Sequence, residues 1–282
     1  MTLPAFEYCA PRSVEEAIAL CSRPGARLLA GGTDLLPQLR LRRRKAPLLV
    51  DLKRIEGLDR IRELEDGSVS IGATVSLAAI ASHPAVKDRF PLLAECCLAV
   101  GGVPLRNRAT MVGNICNASP AADTAVALLA LDARVIARSP RGTRTIPLEE
   151  FFLGPGATSL AEGELVTEVI LCAASSGLRG TYLRLSRRQG MDLATVGVLV
   201  GRLANGTSFS HRIALASVAP TPLRVRAAEA VLDAGGDAER ARSRAAEIAR
   251  EAARPITDIR GTAEYRREMV GVLTARGLAA LK

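Results

Sequence analysis

Short apolar runs alternate with glycine-bearing turns in the first fifty residues of the chain. The apolar runs 27–30 and 48–52 predict two buried strands. Between them, residues 35–40 have the apolar spacing of a short helix, and residues 13–16 form a capping box that opens an earlier one. This pattern predicts a small βαβ-like unit with a glycine turn after its first strand.

Further along, residues 68–73 alternate as a strand does, and residues 85–100 carry apolar side chains at helical spacing. Ser119-Pro120 is a good N-cap and first helical residue, which predicts a helix to about Leu131. Residues 173–177 read as a linker, so we expect domains at 1–174 and 175–282. The remaining predicted strands are 134–137, 164–172, 181–185, 195–203 and 212–218, and the predicted helices are 224–234, 238–254 and 262–281.

Two glycine-bearing segments, 30–36 and 109–123, carry the candidate chemistry. Each joins apolar sequence to a predicted helix start, and a missing Cβ lets a ligand approach the backbone N–H groups. Such turns bind phosphate, so two in one domain predict a pyrophosphate between nucleoside-like halves. The candidate binding residues in these segments are Ala30, Gly31, Gly32, Thr33, Asp34, Leu35, Ala109, Thr110, Val112, Gly113, Asn114, Cys116, Asn117, Ala122 and Asp123.

These segments do not match the common nucleotide-binding motifs. Neither contains G-x-G-x-x-G, which disfavours a Rossmann site, and the chain has no P-loop sequence. Simpler interpretations stay open: Gly31-Gly32 as a tight turn, Asp34 as a helix cap, and Asp123 as a carboxylate that stabilises a helix dipole. The alternative for Asp123 is a hydrogen bond to a sugar or ring of the ligand.

The composition is that of a globular protein. Of 282 residues, 48% are apolar and 24% charged, and no apolar run reaches the length of about 20 residues that a membrane helix needs. The N-terminus lacks the basic and apolar regions of a signal peptide, so we expect a cytoplasmic protein.

The net charge of +9 raises the question of a nucleic-acid partner. The chain has no Trp, three Tyr and five Phe, so stacking surfaces are scarce, and its arginines are scattered. We therefore expect no nucleic-acid binding, while an acidic protein partner stays open.

Metal chemistry is not predicted within this chain. None of the six cysteines belongs to a C-x-x-C pair, and the two histidines stand apart from other candidate ligands. We also find no pair of groups suited to acid–base catalysis, so no catalytic residue is assigned.

The same residues resemble the FAD-binding medium subunit of the molybdenum hydroxylases, the family of aerobic carbon monoxide dehydrogenase and xanthine dehydrogenase. The similarity runs nearly from end to end. It includes residues 30–35, 106–108, 110–123, 151–155, 164–165, 182–192 and 265–267.

The resemblance implies an α+β fold. Residues 1–174 would form a two-subdomain FAD-binding domain of the PCMH (vanillyl-alcohol oxidase-like) type. Residues 175–282 would form a small antiparallel sheet with a helical bundle, as in the C-terminal domain of the carbon monoxide dehydrogenase flavoprotein.

The resemblance also implies roles for single residues. Segments 30–34 and 110–114 would bind the FAD pyrophosphate, with Asp123 near the adenosine or ribityl portion. The other implied contacts are Leu29, Val100, Leu165 near the adenine, and Arg184 with Arg187 near the flavin.

The implied partners are a small [2Fe-2S] ferredoxin-like subunit and a large molybdopterin-binding subunit, in a dimer of heterotrimers. The chain would receive electrons on FAD and pass them to an external acceptor. Two departures from the family pattern are visible: Val112 stands where members often have Gly, and Thr33-Asp34 stand where carbon monoxide dehydrogenase has His-Ser. We therefore assign no carbon monoxide substrate.

Two alternatives to this function remain. One is a self-contained flavin reductase of the enolpyruvyl-UDP-N-acetylglucosamine reductase type. The other is a non-enzymatic nucleotide-binding module.

Overall fold

The N-terminal part of the chain forms a three-stranded parallel sheet with two helices. In the computed structural model, which describes residues 2–188, 190–235 and 237–281, this sheet has the order β1-β3-β2. Its elements are β1 (Glu7–Cys9), α1 (Val14–Cys21), β2 (Ala26–Leu29), α2 (Leu35–Arg40) and β3 (Leu48–Asp51). The predicted βαβ unit and the cap on α1 are confirmed: the Ser13 hydroxyl accepts from the Glu16 N–H at 3.1 Å. The sequence reading omitted β1, which is too short to show a period.

The second subdomain is a five-stranded antiparallel sheet, β4-β5-β10-β6-β7, packed against helices. Its strands are β4 (Ile61–Glu63), β5 (Val69–Gly72), β6 (Arg134–Ser139), β7 (Gly142–Pro147) and β10 (Leu165–Leu171), with a hairpin of β8 (Phe152–Gly154) and β9 (Ala157–Thr158). Its helices are α3 (Leu77–Ser82), α4 (Pro84–Arg89), α5 (Pro91–Ala99), α6 (Val103–Arg106), α7 (Met111–Cys116) and α8 (Asp123–Ala130).

The C-terminal domain is a four-stranded antiparallel sheet, β11-β12-β13-β14, covered by three helices. The apolar residues of β12 and β13 form one core with those of the helices. The elements are β11 (Arg179–Leu185), β12 (Val196–Asn205), β13 (Ser208–Ala216), β14 (Leu223–Arg224), α9 (Arg226–Asp233), α10 (Ala238–Ala252) and α11 (Ala263–Ala280). Short 3-10 helices lie at Leu52–Arg54, Leu148–Glu150 and Ala173–Ser175.

Two predicted helices differ in the structure. The predicted helix 85–100 is two helices, α4 and α5, because a residue before proline disfavours helical angles and Phe90 precedes Pro91. The predicted helix from Ser119 begins only at Asp123. The Ser119 hydroxyl accepts instead from the Ala121 N–H at 3.2 Å, which closes a turn before the helix.

Helix α8 lies at the centre of the molecule, and all eight of its residues are buried. The C-terminal domain contacts both of its ends. At the N-terminal end, the Tyr182 hydroxyl donates to Asp123 Oδ1 at 2.7 Å. At the C-terminal end, Arg224 donates to the Leu129 carbonyl at 3.3 Å and also to the Asp132 carboxylate.

Asp132 gathers three arginines of the C-terminal domain. It has a left-handed backbone, with φ of 50°, and its carboxylate accepts from Arg224 and from Arg226 at 3.4 Å. Arg212 lies 3.7 Å from its other oxygen. The Arg224 side chain is only 2% exposed and also pairs with the buried Glu229 at 2.9 Å. If one member of the Arg224–Glu229 pair were removed, the other would keep a buried charge without a partner.

We expect Arg224→Met to lower the free energy of unfolding by about 3–5 kcal/mol, because Glu229 would keep a buried charge without its partner. Arg226→Met is the matched control. Its side chain is 56% exposed, so its ion pairs with Glu149 and Asp132 should contribute about 1 kcal/mol or less. Urea unfolding of both variants measures the difference in their free energy of unfolding. Equal losses in the two variants would contradict a stabilising role for the buried Arg224–Glu229 pair.

Candidate functional site

A cleft of about 920 Å³ passes along both glycine-bearing segments. Another part of its wall comes from the second subdomain and consists of Leu160, Glu162, Gly163, Glu164 and Val166. The loop between β11 and β12 adds Arg188, Met191, Asp192 and Leu193 from the C-terminal domain. All three parts of the chain therefore meet at this one cavity.

The first glycine segment connects β2 to α2. Gly32 has φ of 74°, where glycine is favoured. At Gly31, an added Cβ would lie 2.1 Å from the Arg108 carbonyl oxygen. The missing side chain of Gly31 therefore admits the backbone of the second segment rather than a ligand. Asp34 makes no side-chain cap on α2, although it stands at the N-cap position.

A network of polar side chains holds the first glycine segment in place. Lys53 Nζ donates to the Ala30 carbonyl at 3.2 Å and to Asp51 at 2.7 Å. Asp51, at the end of the central strand, also accepts from the Tyr8 hydroxyl at 2.5 Å. Burial raises the pKa of Asp51, but the hydrogen bonds from Lys53 and Tyr8 outweigh it and leave the pKa below its usual range. The carboxylate thus stays charged and holds Lys53 against the turn.

The second glycine segment contains a helix that the sequence reading did not predict. Thr110 caps α7, and its hydroxyl accepts from the Gly113 N–H at 3.0 Å. A Cβ on Gly113 would lie 2.8 Å from that hydroxyl, so the glycine serves the cap. Val112, the departure from the family pattern, is a buried residue of this helix and needs no special backbone angles.

Asn114 ties the second segment to the central helix. Its side-chain carbonyl accepts from the Thr124 hydroxyl at 2.6 Å, and Asn114 itself lines the cleft. Since Thr124 is a fully buried residue of α8, the position of Asn114 depends on the core.

A buried carboxylate marks another part of the cleft. Asp123 accepts from Tyr182, and Arg184 Nε lies 3.2 Å from the same oxygen, Oδ1. Burial raises the pKa of Asp123 more than Tyr182 and Arg184 lower it. Among the described residues, no side chain or N–H donates to Oδ2 of Asp123, so one oxygen is available for a ligand in the cleft.

The loop after β11 is fixed by its own hydrogen bonds. Arg184 donates to the Asp192 carbonyl, and the Asp192 carboxylate accepts from Arg187 at 3.3 Å and from the Leu193 N–H at 2.9 Å. The second oxygen of Asp192 is buried without a hydrogen-bond partner in the described chain. Gln189, within this loop, lies outside the described residues.

Of the predicted binding residues, all but three line the cleft. Leu29 is buried behind Gly32, and Leu165 is buried in β10. Arg184 contacts the cleft only through Asp123 and Asp192. The predicted binding residues that line the cleft are Ala30, Gly31, Gly32, Thr33, Asp34, Leu35, Val100, Ala109, Thr110, Val112, Gly113, Asn114, Cys116, Asn117, Ala122 and Asp123.

Sequence reasoning missed the far wall of the cleft. Glu164 lies there, and Arg144 holds it with two hydrogen bonds of 2.8 and 2.7 Å. These bonds from Arg144 keep the pKa of Glu164 below its usual range. Glu164 also accepts from the Ala161 N–H at 2.7 Å, which orders the turn over the cleft. The signal available was the Glu164–Leu165 match to the family, but periodicity assigned this stretch only to a strand.

Two cysteines line the cleft without reactive character. Burial raises the pKa of the Cys21 thiol to about 11 and that of Cys116 to about 12, so both stay neutral. Within residues 2–188, 190–235 and 237–281, no group of three or more His, Cys, Asp or Glu side chains is placed to hold a metal ion. In the same ranges, no helix is long and apolar enough to cross a bilayer.

Comparison with known families divides the chain into two matched parts. The family described as the FAD-binding domain in molybdopterin dehydrogenase matches residues 4–173. The CO dehydrogenase flavoprotein C-terminal domain matches residues 181–281.

Two curated relatives match over nearly their full length. The carbon monoxide dehydrogenase medium chain of Hydrogenophaga pseudoflava is 39% identical, covering 99% of this chain and 98% of its own. The nicotine 6-hydroxylase medium subunit of Paenarthrobacter nicotinovorans is 34% identical, covering 98% and 97%.

A solved structure agrees with the fold described above. It is carbon monoxide dehydrogenase from Hydrogenophaga pseudoflava lacking the Mo-pyranopterin moiety of its molybdenum cofactor. The superposition has a TM-score of 0.94 at 40% identity and covers 99% of this chain and 98% of that one. The resemblance inferred from the sequence is thereby confirmed, and the chain belongs to the FAD-binding medium subunits of the molybdenum hydroxylase family.

Proposed function

We propose that this chain is the flavin-carrying subunit that takes electrons from the [2Fe-2S] clusters of a partner and passes them to an external acceptor. The observation that supports this most is the single cleft in which both glycine segments meet the buried carboxylate of Asp123. A cofactor with a diphosphate and a polar arm fits this set of groups.

The residues present fit FAD in both size and chemistry. The cleft of about 920 Å³ falls in the upper part of the size range of small-molecule and cofactor sites. It offers backbone N–H groups along the two glycine segments, and Asp123 presents an acceptor oxygen without a protein donor in the described chain. When bound, FAD supplies the electron-accepting and electron-donating ring system.

The roles of the chain's own residues follow from their positions. We assign diphosphate binding to the segments 30–34 and 110–114, and an acceptor role toward the cofactor's sugar-alcohol hydroxyls to Asp123. Tyr182 and Arg184 orient that carboxylate. Met191 and Leu193 line the same cleft with apolar side chains and would exclude water from it.

The catalytic chemistry of an organic substrate is assigned to another chain. The relatives carry names as different as carbon monoxide dehydrogenase and nicotine 6-hydroxylase, while the medium subunits of both align with this chain over nearly its whole length. We therefore propose a small [2Fe-2S] ferredoxin-like subunit and a large molybdopterin-binding subunit as partners, in a dimer of heterotrimers. A cytoplasmic location accords with the six free cysteines.

We expect the purified chain to carry one FAD, without a covalent bond. Acid precipitation should release the flavin into the supernatant, where chromatography distinguishes FAD from FMN. A colourless protein would favour the non-enzymatic module, and flavin retained by the precipitate would contradict non-covalent binding.

Gly31→Ala should strongly reduce flavin content, because its Cβ would clash with the Arg108 carbonyl and separate the two segments. Gly154→Ala is the matched control, since no atom lies within 4 Å of its added Cβ and its backbone is not left-handed. The flavin-to-protein ratio of the two soluble variants tests the assignment. Equal, full occupancy would contradict it.

Asp123→Asn should weaken FAD binding about tenfold to a hundredfold, the loss of a charged hydrogen bond of about 1.5–3 kcal/mol. The same variant should stabilise the flavin-free chain at neutral pH, because burial makes the ionised carboxylate costly.

The pH dependence has a defined sign. Since the folded pKa of Asp123 is raised, its ionisation lowers stability above that pKa, and this cost vanishes as pH falls toward the unfolded value of about 3.9. The stability difference between Asp123→Asn and wild type should therefore shrink in acid. Unchanged FAD affinity with lower stability would favour a helix-dipole role instead.

Electron delivery is tested with the partner chains. Co-expression with candidate small and large chains should give a complex whose flavin absorbance bleaches when the organic substrate is added. The isolated chain should show no bleaching with the substrate or with NADPH. Reduction of the isolated chain by NADPH would favour the self-contained reductase.

A further inference from the structure

Ser217, the residue that follows β13, joins segments of both domains. It is buried, and its backbone is left-handed, with φ of 66°. Such angles are unfavourable for a residue with a Cβ and persist only where surrounding contacts impose them. Three hydrogen bonds to separate parts of the chain supply those contacts at Ser217.

The backbone N–H of Ser217 contacts the turn before α8. It donates to the Pro120 carbonyl at 2.7 Å. The neighbours of that proline, Ser119 and Ala121, line the cleft. Ala118, in the same turn, is also left-handed, with φ of 46°. An unfavourable backbone conformation is therefore held on both sides of this contact.

The hydroxyl of Ser217 contacts the loop after β11. Its Oγ donates to the Ala194 carbonyl at 2.8 Å, and Arg260 donates to the same carbonyl at 3.1 Å. Asp192 and Leu193, the two residues before Ala194, line the cleft. A hydroxyl outside the cleft wall thus fixes the end of a segment that supplies two residues of that wall.

A closed ring of hydrogen bonds holds both donors to Ala194 in place. The Ser217 carbonyl accepts from Arg266 at 3.2 Å, and Arg266 also donates to the Asp258 carboxylate. Asp258 accepts in turn from Arg260 at 2.7 Å, which leads back to the Ala194 carbonyl. The hydrogen bond from Arg260 keeps the pKa of Asp258 below its usual range, so this carboxylate stays charged.

Arg184 connects the same two parts of the cleft a second time. Its Nε lies 3.2 Å from Asp123 Oδ1, at the start of α8, and it also donates to the Asp192 carbonyl. Arg184 and Ser217 therefore both bridge the start of α8 and the loop after β11. Two separate attachments restrict a rotation that one would permit, so the two parts of the wall keep one relative position.

We propose that Ser217 is a positioning residue for the flavin. Through the Ala194 carbonyl it holds Asp192 and Leu193 against the bound cofactor, at a fixed distance from the turn before α8. This rests on the proposed function, because the position of the loop matters only when FAD occupies the cleft. A site that is ordered before binding loses less conformational entropy, so a loosened loop would lower the affinity for FAD.

The test compares two substitutions at Ser217 in the full chain. Ser217→Gly removes the hydroxyl but keeps the N–H, the carbonyl and a backbone that is easily left-handed. Ser217→Ala removes the same hydroxyl and leaves a Cβ at φ of 66°, so it should unfold at a lower urea concentration than the glycine variant.

Ser68→Gly is the matched control. Ser68 is 5% exposed, against 6% for Ser217, and its hydroxyl donates to Asp66 at 3.0 Å. It lies in the second subdomain and is not part of the cleft wall. This control therefore loses a buried, hydrogen-bonded hydroxyl without touching the loop after β11.

Each flavin-free variant is titrated with FAD, and the change in flavin fluorescence gives the dissociation constant. Visible circular dichroism and the midpoint potential of the loaded protein report the surroundings of the flavin. We expect both Ser217 variants to bind FAD about three- to tenfold more weakly, the effect of one neutral hydrogen bond, with altered dichroism and a shifted potential. Ser68→Gly should be less stable than wild type but match it in all three flavin measurements.

Wild-type affinity and dichroism in a folded Ser217→Gly protein would overturn the proposal, as would an equal weakening in Ser68→Gly. If neither Ser217 variant folds, Arg260→Met removes the other donor to the Ala194 carbonyl and should change the flavin measurements in the same way. Unchanged flavin measurements in that variant would also overturn the proposal. A wild-type chain that binds no FAD would contradict the proposed function itself.

Discussion

The architecture depends on helix α8, which is buried along its whole length and held at both ends by the C-terminal domain. At its first residue, Asp123 accepts from Tyr182 and lies beside Arg184. Just past its last residue, Asp132 collects the buried Arg224 with Arg212 and Arg226. The two ends carry opposite partial charges, so a carboxylate at the start and cations at the end are each favourable. One helix thus fixes the position of the second domain and of the cleft's buried acid.

The two glycine segments form a single structure rather than two independent turns. Gly31 leaves room for the Arg108 carbonyl, and Gly113 leaves room for the Thr110 hydroxyl that caps α7. In both cases the absent side chain is replaced by protein atoms. The cleft surface on which a diphosphate would lie is therefore a product of packing between segments almost eighty residues apart.

Much of the fold and of the candidate site could be predicted from the sequence, and the parts that were missed have physical causes. The longer strands and helices followed their periods, and Ser13 carried a local signal strong enough to place a helix start. The break at Pro91 was missed because the apolar spacing continues across it. The short strands β1, β4, β8, β9 and β14 and the polar strand β7 were not predicted. Helix α7 was missed because six residues with a central glycine show no period, and Ser119 misled because its hydroxyl can close a turn as well as cap a helix. Most candidate site residues came from two contiguous motifs. The far wall at Glu164 and the loop after β11 were indicated only by the family resemblance, because hydrophobic periodicity does not show which distant segments folding brings together.

The contacts that hold both ends of α8 have a consequence for how far the two parts of the chain can be separated. The stretch 173–177 joins two parts that match separate families, and in sequence it looks like a place to cut. A fragment that ended there would leave Asp123 without Tyr182, and Asp132 without any of its three arginines. Exchange of C-terminal domains between relatives would succeed only where those contact residues travel with the domain. Residues 173–177 thus separate two sequence families, whereas the buried contacts that hold α8 join the two parts of the structure.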